Sequence, residues 1–302
     1  MSWRTVVVTG VAKLDYSLNY LTVRQKDKES KIYLGEIGTL IIDTTMASLT
    51  TALLCELTKN KIKVIFCDEK HNPQNELLPY CGTQDSTRRI RDQLEWDEDV
   101  KKRVWAEIVK EKIRQQMLHL SKEGFEEQAN MLKEYIKEVE PGDITNREGH
   151  AAKVYFNKIF TTEFSRSQEN VINAILDYGY AIILSAFNRA IAASGYLTQL
   201  GIFHRNVFNP FNLASDLMEP YRILVDRKAV EMKDSNFGRV EKMQLVKLLE
   251  EEVTIENKHQ TIDNAVGIYC RSVFEALKEG DVSLIQFYKD EKLQVYEDNS
   301  IF

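Results

Sequence analysis

One change in the spacing of apolar residues limits what this chain can fold into. In the first third, Leu14, Tyr16, Leu18 and Tyr20 alternate with Asp15, Ser17 and Asn19, the period of two that gives a β-strand one apolar face. Trp3–Thr9 predicts another strand, and Ile32–Leu34 and Thr39–Ile42 two more, with Gly35 and Gly38 placed for tight reversals between them. A helix carrying Leu49, Leu53, Leu54 and Leu57 follows this meander, and then Ile62, Val64 and Phe66 alternate again. From Asn72 to Asp85 the chain collects Asn, Pro, Gly, Gln and Thr, and Pro73, Pro79 and Gly82 break regular structure. Beyond that point the spacing is helical. Val100, Val104, Ile108, Ile113 and Met117 form one stripe, and Asp97, Glu98 and Asp99 place negative charge at the positive end of that helix's dipole. Ser121–Val139 predicts a second amphipathic segment closed by Pro141, and Val171–Ala193 is apolar on most sides, as a helix surrounded by others must be. The expectation is an α+β chain: a small mainly-β domain over residues 1–77, a linker over 78–85, and an all-α domain over 86–302 whose last residues, from Tyr288, fray.

Composition excludes several classes of function. At 43% hydrophobic, 302 residues can fill a core in each of two domains. The longest apolar stretch, Tyr178–Phe187, is interrupted by Gly179 and Ser185 and falls short of a membrane span, and Met1–Gly10 lacks the features of a secretory signal, so the cytoplasm is the expected location. Cys55, Cys67, Cys81 and Cys270 are scattered, without a CxxC pair, and read as reduced structural thiols. A formal net charge of -6 argues against nonspecific coating of nucleic acid, so any contact with phosphate must use local basic patches.

The acidic and histidine residues narrow the chemistry. Glu148 follows Pro141, Gly142 and Asp143, with Asn146 as the expected N-cap, and so falls in the first turn of a helix whose Ala152, Tyr155 and Ile159 are apolar. A carboxylate heading such a stripe is partly buried and needs a cation or a donor, although a first-turn Glu is also favoured simply by the helix dipole. His150, two residues on, points elsewhere and is not expected to be a ligand. The densest polar group in an apolar setting is Gly201–Arg222, GIFHRNVFNPFNLASDLMEPYR. His204 follows the long apolar helix in a loop, where a lone histidine is more often hydrogen-bonded than metal-bound, and Asp216 and Glu219 are spaced to share a helix face. One imidazole with carboxylates suits Mg²⁺ or Mn²⁺ better than a closed structural zinc site. Spacing alone does not join Glu148 to His204 and Glu219.

Three runs supply that link: NREGHAAKVYF from Asn146, ILDYGYAIILSAFNRAIAASGY from Ile175, and GIFHRN followed by NLASDLMEPYR. In this order they resemble the universal integrase family of CRISPR adaptation, Cas-one, with DLMEPYR most similar to the type II subgroup. The resemblance implies a β N-terminal unit before a helical catalytic domain, with Glu148, His204 and Glu219 as catalytic residues binding Mg²⁺ or Mn²⁺. Many members have Asp where this chain has Glu219, so Asp216 is a candidate auxiliary ligand. It further implies insertion of short DNA fragments into a repeat array by attack of a 3′-hydroxyl on a phosphodiester. The chain has no GxxxxGKS/T loop, in keeping with a reaction that needs no ATP. Arg147, Lys153, Arg205 and Arg222 flank the ligands in sequence and are candidate DNA contacts, as are Arg88, Arg89 and Arg91 near the domain boundary. A neutral His204 ligand implies suppression by acid. Implied partners are a second copy in a homodimer, the small protein Cas-two, double-stranded fragments and repeat DNA, and, in type II systems, the effector nuclease and an accessory ring protein. Two alternatives use the same residues: a metal-dependent nuclease that does not integrate, and a noncatalytic scaffold in which they brace the core.

Overall fold

Two four-stranded sheets and one helix build the first of two units, Met1–Gln84; the second is Asp85–Phe302. The computed structural model describes residues 4–26, 28–77 and 85–293. In the first unit β1 (Arg4–Thr9), β2 (Ala12–Ser17), β3 (Tyr20–Gln25), β4 (Lys28–Tyr33), β5 (Ile37–Asp43) and β6 (Ala47–Leu49) precede α1 (Thr51–Lys59), β7 (Lys63–Cys67) and β8 (Pro73–Leu77). One sheet has the order β1-β5-β7-β8, the other β4-β3-β2-β6. They share an apolar core that includes Val8, Leu14, Leu21, Leu40, Leu53 and Val64.

The unit is less simple than a meander, because β1, β5 and β7 pair in parallel and α1 is the crossover that parallel pairing of β5 with β7 requires. Ile37–Ile42 is buried on both faces, which explains an apolar run in place of alternation. The alternation from Leu14 to Tyr20 does not mark one strand. Ser17 pairs with Tyr20 across a two-residue turn in which Leu18 (φ 50°) and Asn19 (φ 66°) are both left-handed. Period-two spacing simply continues through a hairpin turn of that length. Gly35 sits in a 3-10 turn and Gly38 inside β5, neither with positive φ, so neither makes the expected reversal. Pro73 opens β8, an edge strand that tolerates its missing N–H, where the sequence predicted no regular element. Cys67 and Cys270 are buried and Cys55 is exposed; Cys81, Pro79 and Gly82 lie outside the described residues.

The second unit contains α2 (Ser86–Leu94), α3 (Glu98–Lys122), α4 (Glu126–Lys137), α5 (Arg147–Ile159), α6 (Val171–Ala193), α7 (Asn212–Leu217), α8 (Arg222–Met232), α9 (Arg239–Lys247), the strands β9 (Glu252–Ile255) and β10 (Lys258–Thr261), and α10 (Ile262–Glu279). Asp97 caps α3 by accepting the backbone N–H groups of Asp99 and Val100. The segment predicted from Ser121 is divided at Gly124, whose φ of 80° separates α3 from α4. Helix α6 is long and apolar enough to cross a membrane by length and composition, but 67% of its most apolar window is buried inside the unit, the mark of a core helix. The hairpin of β9 and β10, turning on Glu256 (φ 51°) and Asn257 (φ 59°), departs from the expectation of helix throughout. Of the segment expected to fray, Tyr288–Leu293 is held in place, since Tyr288 is buried and donates its hydroxyl to the Pro220 carbonyl and Asp290 pairs with Arg227, while residues 294–302 lie outside the described residues.

Candidate active site

Glu148 is held by the start of α5. Asn146 occupies the N-cap position in a left-handed conformation (φ 52°), but its side chain makes no capping bond. Asp143 does that work, accepting the N–H of Arg147 at 2.8 Å and that of Glu148 at 3.0 Å. The Glu148 backbone is thereby fixed, and its carboxylate points at α3.

Glu219 arrives from another direction. It opens a 3-10 turn after α7, followed by Pro220, and only 4% of it is exposed. Arg222 Nε donates to its Oε1 at 2.8 Å. Lys112, from the middle of α3, donates Nζ to Glu219 Oε2 at 2.5 Å and to Glu148 Oε1 at 2.5 Å. Two carboxylates from separate elements thus converge on one ammonium. Burial alone disfavours the charge on Glu219, but Arg222 and Lys112 outweigh it and hold the carboxyl well below its usual range. Burial likewise opposes the charge on Lys112, and Glu219 and Glu148 reverse that and raise its pKa.

His204 is built around Asp216, which is wholly buried on α7. Asp216 Oδ2 accepts the N–H of Ile202 at 2.6 Å and of Phe203 at 2.9 Å; its Oδ1 accepts the N–H of His204 at 3.1 Å and lies 2.5 Å from His204 Nδ1. Because a carboxylate only accepts, Nδ1 carries the proton, and in the neutral ring Nε2 is left with a lone pair. The loop closes this tightly only with glycine at 201, where an added Cβ would lie 2.4 Å from the His204 carbonyl oxygen and 2.7 Å from Asp216 Oδ2. The Trp105 ring stacks on Phe203 at 4.5 Å and meets His204 edge-on at 5.8 Å. The bond to Asp216 raises the imidazole pKa against partial burial, with Glu219 and Glu148 adding smaller contributions of the same sign.

Among the described residues, no three His, Cys, Asp or Glu side chains stand close enough together to share one ion as they are placed. The structure brings Glu148 and Glu219 to one point and leaves His204 paired with Asp216. Asp216 stands behind the histidine, its oxygens taken by four donors. His150 is exposed beside the Tyr135 ring.

A cavity of about 190 Å³ adjoins Glu219, lined also by Lys112, Arg166, Tyr180, Arg222 and Asp226 among others. The guanidinium groups of Arg166 and Arg222 lie 5.4 Å and 4.6 Å from the centre of the Tyr180 ring. Tyr180 donates its hydroxyl to Asp226, whose carboxyl burial pushes up to about 7 against the lowering effect of that bond. A second, wider groove of about 680 Å³ runs past His204, with Lys101 and Arg205 in its lining.

Of the basic residues that flank the motifs, Arg222 alone lines the smaller cavity. Arg147 turns to Glu138 at 2.9 Å and Arg205 to Glu98 at 2.5 Å, while Lys153 is exposed. Arg88 and Arg89 pair with Asp85 at 2.5 Å and 3.3 Å, and Arg91 is exposed on α2. Sequence reasoning missed Lys112, Arg166, Tyr180 and Asp226. For Lys112 a signal existed, since Ile108, Lys112 and Gln116 are four residues apart on a largely buried helix and a lysine there needs a partner.

This fold has close counterparts among solved structures. A casposase bound to its integration product superimposes with a TM-score of 0.74 at 19% identity, covering 94% of this chain and 93% of that one. The Cas1 protein of Thermotoga maritima gives 0.75 at 16% identity, covering 92% and 98%. A chain of a Cas6-RT-Cas1–Cas2 complex gives 0.72 at 19% identity, covering 95% of this chain and 36% of the longer one. Family membership follows from sequence: the profile of the CRISPR associated protein Cas1 matches residues 5–243. The CRISPR-associated endonuclease Cas1 of Neisseria meningitidis serogroup C (strain 8013) is 33% identical over 264 residues, 86% of this chain and 87% of that protein. The chain belongs to the Cas1 family, as its three motifs implied.

Proposed function

We propose that this chain is a divalent-metal-dependent DNA integrase and endonuclease of CRISPR adaptation, with Glu148, His204 and Glu219 holding Mg²⁺ or Mn²⁺. The observation that carries this reading is the convergence of Glu148 and Glu219 on a single cationic point, with His204 locked in the tautomer that keeps Nε2 free for a metal. Oxygen donors with one imidazole suit either ion. When bound, the dication supplies Lewis-acid stabilisation of charge on the phosphate and on the oxygens that attack and leave.

The chain's own residues do the rest. Asp216 holds the His204 ring in place, and Asp143 fixes the turn that presents Glu148. Arg222 and Arg166, braced on Tyr180, give the cavity beside Glu219 a positive wall for the phosphate. The 3′-hydroxyl of a bound fragment gives up its proton as its oxygen forms a bond to phosphorus at the repeat boundary, the bond from phosphorus to the repeat strand's 3′-oxygen breaks, and the leaving oxygen takes a proton, so that one hydroxyl is consumed and one released. A hydroxyl held in line has already lost the entropy a free nucleophile must lose, so positioning favours joining over hydrolysis.

The similarity to a chain in a Cas6-RT-Cas1–Cas2 complex supports Cas2 as partner of a homodimer of this protein, and the Neisseria meningitidis relative supports placing it in a type II system, with that system's effector nuclease and ring protein as further partners. The test supplies a supercoiled plasmid bearing the repeat, a double-stranded fragment with free 3′-hydroxyls, Cas2 and Mg²⁺ or Mn²⁺. Joined products are expected from the wild type and from neither Glu148→Ala nor His204→Ala. Nicking without joining would leave the nuclease reading standing in place of the integrase, and joining by both variants would make the three residues structural.

A further inference from the structure

We propose that Lys112 is a built-in stand-in for the metal, an ammonium that holds Glu148 and Glu219 together until the dication displaces it, so that metal binding is an exchange of cations. The inference rests on the metal reading above and gives a role to Lys112, which that reading uses only as the point on which the two glutamates converge. Lys112 Nζ lies 2.5 Å from Glu148 Oε1 and 2.5 Å from Glu219 Oε2, on the two carboxylates that the same reading gives to the metal. A dication bonded to those oxygens at about 2.0–2.2 Å would stand within roughly 3 Å of the ammonium, where two positive charges repel strongly. The two occupants exclude each other.

The fold provides for both. With the side chain of Lys112 only 12% exposed and that of Glu219 only 4%, the carboxylates need a compensating charge at all times, and the lysine supplies it without a metal. The four-carbon stem of lysine is flexible, and the adjoining cavity of about 190 Å³ gives the ammonium a place to retreat to. That cavity is lined by Gln116, one turn further along α3, and by the carboxylate of Asp226. A retreated Lys112 also adds its charge to the wall formed by Arg166 and Arg222, on the side where the phosphate is to lie.

The test is Mn²⁺ binding by calorimetry, with melting in EDTA and in saturating Mn²⁺, for the wild type, Lys112→Met and Glu148→Gln. With its competitor removed, Lys112→Met should bind Mn²⁺ at least tenfold more tightly, melt below the wild type in EDTA, and recover most of that loss in Mn²⁺. Equal or weaker binding by Lys112→Met, with Glu148→Gln still weakening the wild-type site, overturns the exchange and spares the metal reading. Mn²⁺ binding that Glu148→Gln leaves unchanged overturns both. Should Lys112→Met not fold, side-chain NMR of ¹⁵N-lysine in the wild type decides: the Lys112 signal, assigned with Lys112→Arg, must move on saturation with Mg²⁺, and an unmoved signal overturns the exchange.

Discussion

Asp216→Asn tests the histidine loop most directly, because the substitution keeps the shape of the side chain and changes only its hydrogen-bonding capacity. The carboxylate serves four donors, the N–H groups of Ile202 and Phe203 on Oδ2 and the N–H and Nδ1 of His204 on Oδ1. An amide has one acceptor oxygen and one donor group. With its NH2 turned towards the histidine, the neutral ring can move its proton to Nε2 and accept at Nδ1, so the one donor that faces another donor is the N–H of His204. A buried donor left without an acceptor costs about 1–3 kcal/mol. For a unit of this size about 2 kcal/mol is a fall in Tm of about 6 °C. Urea unfolding followed by tryptophan fluorescence reads it, since Trp96 and Trp105 both belong to the second unit and Trp105 stacks on Phe203. A pH dependence comes with it. The His204 pKa is raised by its bond to Asp216, so the stability of that pair is fully present below the unfolded histidine value and is lost as pH rises through the folded one. The variant should therefore lose more at pH 5.5 than at pH 8. A loss under about 0.5 kcal/mol at pH 8, or an equal loss at both pH values, would refute the reasoning.

His119 is buried against the Tyr155 hydroxyl at 2.7 Å, and burial, with Arg227 and Lys122, lowers its pKa to about 4. Here the folded value lies below the unfolded one, so stability is lost as pH falls from about 6.5 to 4, by up to about 3 kcal/mol; His119→Gln should flatten this limb relative to the wild type in acid urea titrations. An added Cβ at Gly179 would stand 2.3 Å from Val225 Cγ1 where α6 meets α8, so Gly179→Ala should cost about 1–3 kcal/mol, and Val225→Ala in the same chain should recover part of it in a double-mutant cycle. Asp143→Ala removes the two bonds that start α5 and should cost about 1–2 kcal/mol in thermal melts, whereas Asn146→Ala should not lose a capping bond, because the Asn146 side chain makes none.

How much of this was legible in the sequence depends on how local each determinant is. The switch from period two to helical spacing records which face of each element is buried, and it located α3 and α6 closely. It failed at Leu18 and Asn19 because a two-residue hairpin turn preserves the alternation it interrupts, and it read β1 and β5 as parts of a meander, although they pair in parallel, because strand order is decided by partners distant in sequence. The site divides in the same way. Glu148 at a helix start and Glu219 beside Asp216 were legible as local patterns, but the agent that brings the two glutamates together is Lys112, 36 residues before one and 107 before the other. A lysine in a charge-rich helix looks like any solvated lysine until the neighbours that bury it are known. The same holds for the surroundings of Asp216: spacing put it on the face of Glu219, but the chain leaves α7 for a 3-10 turn at Glu219, so the two acids diverge, one to the histidine loop and the other to Lys112 and Arg222. Where helix ends within a motif, the i,i+3 rule no longer says which side chains meet, and a site built across such an end must be read from the bonds that hold each residue.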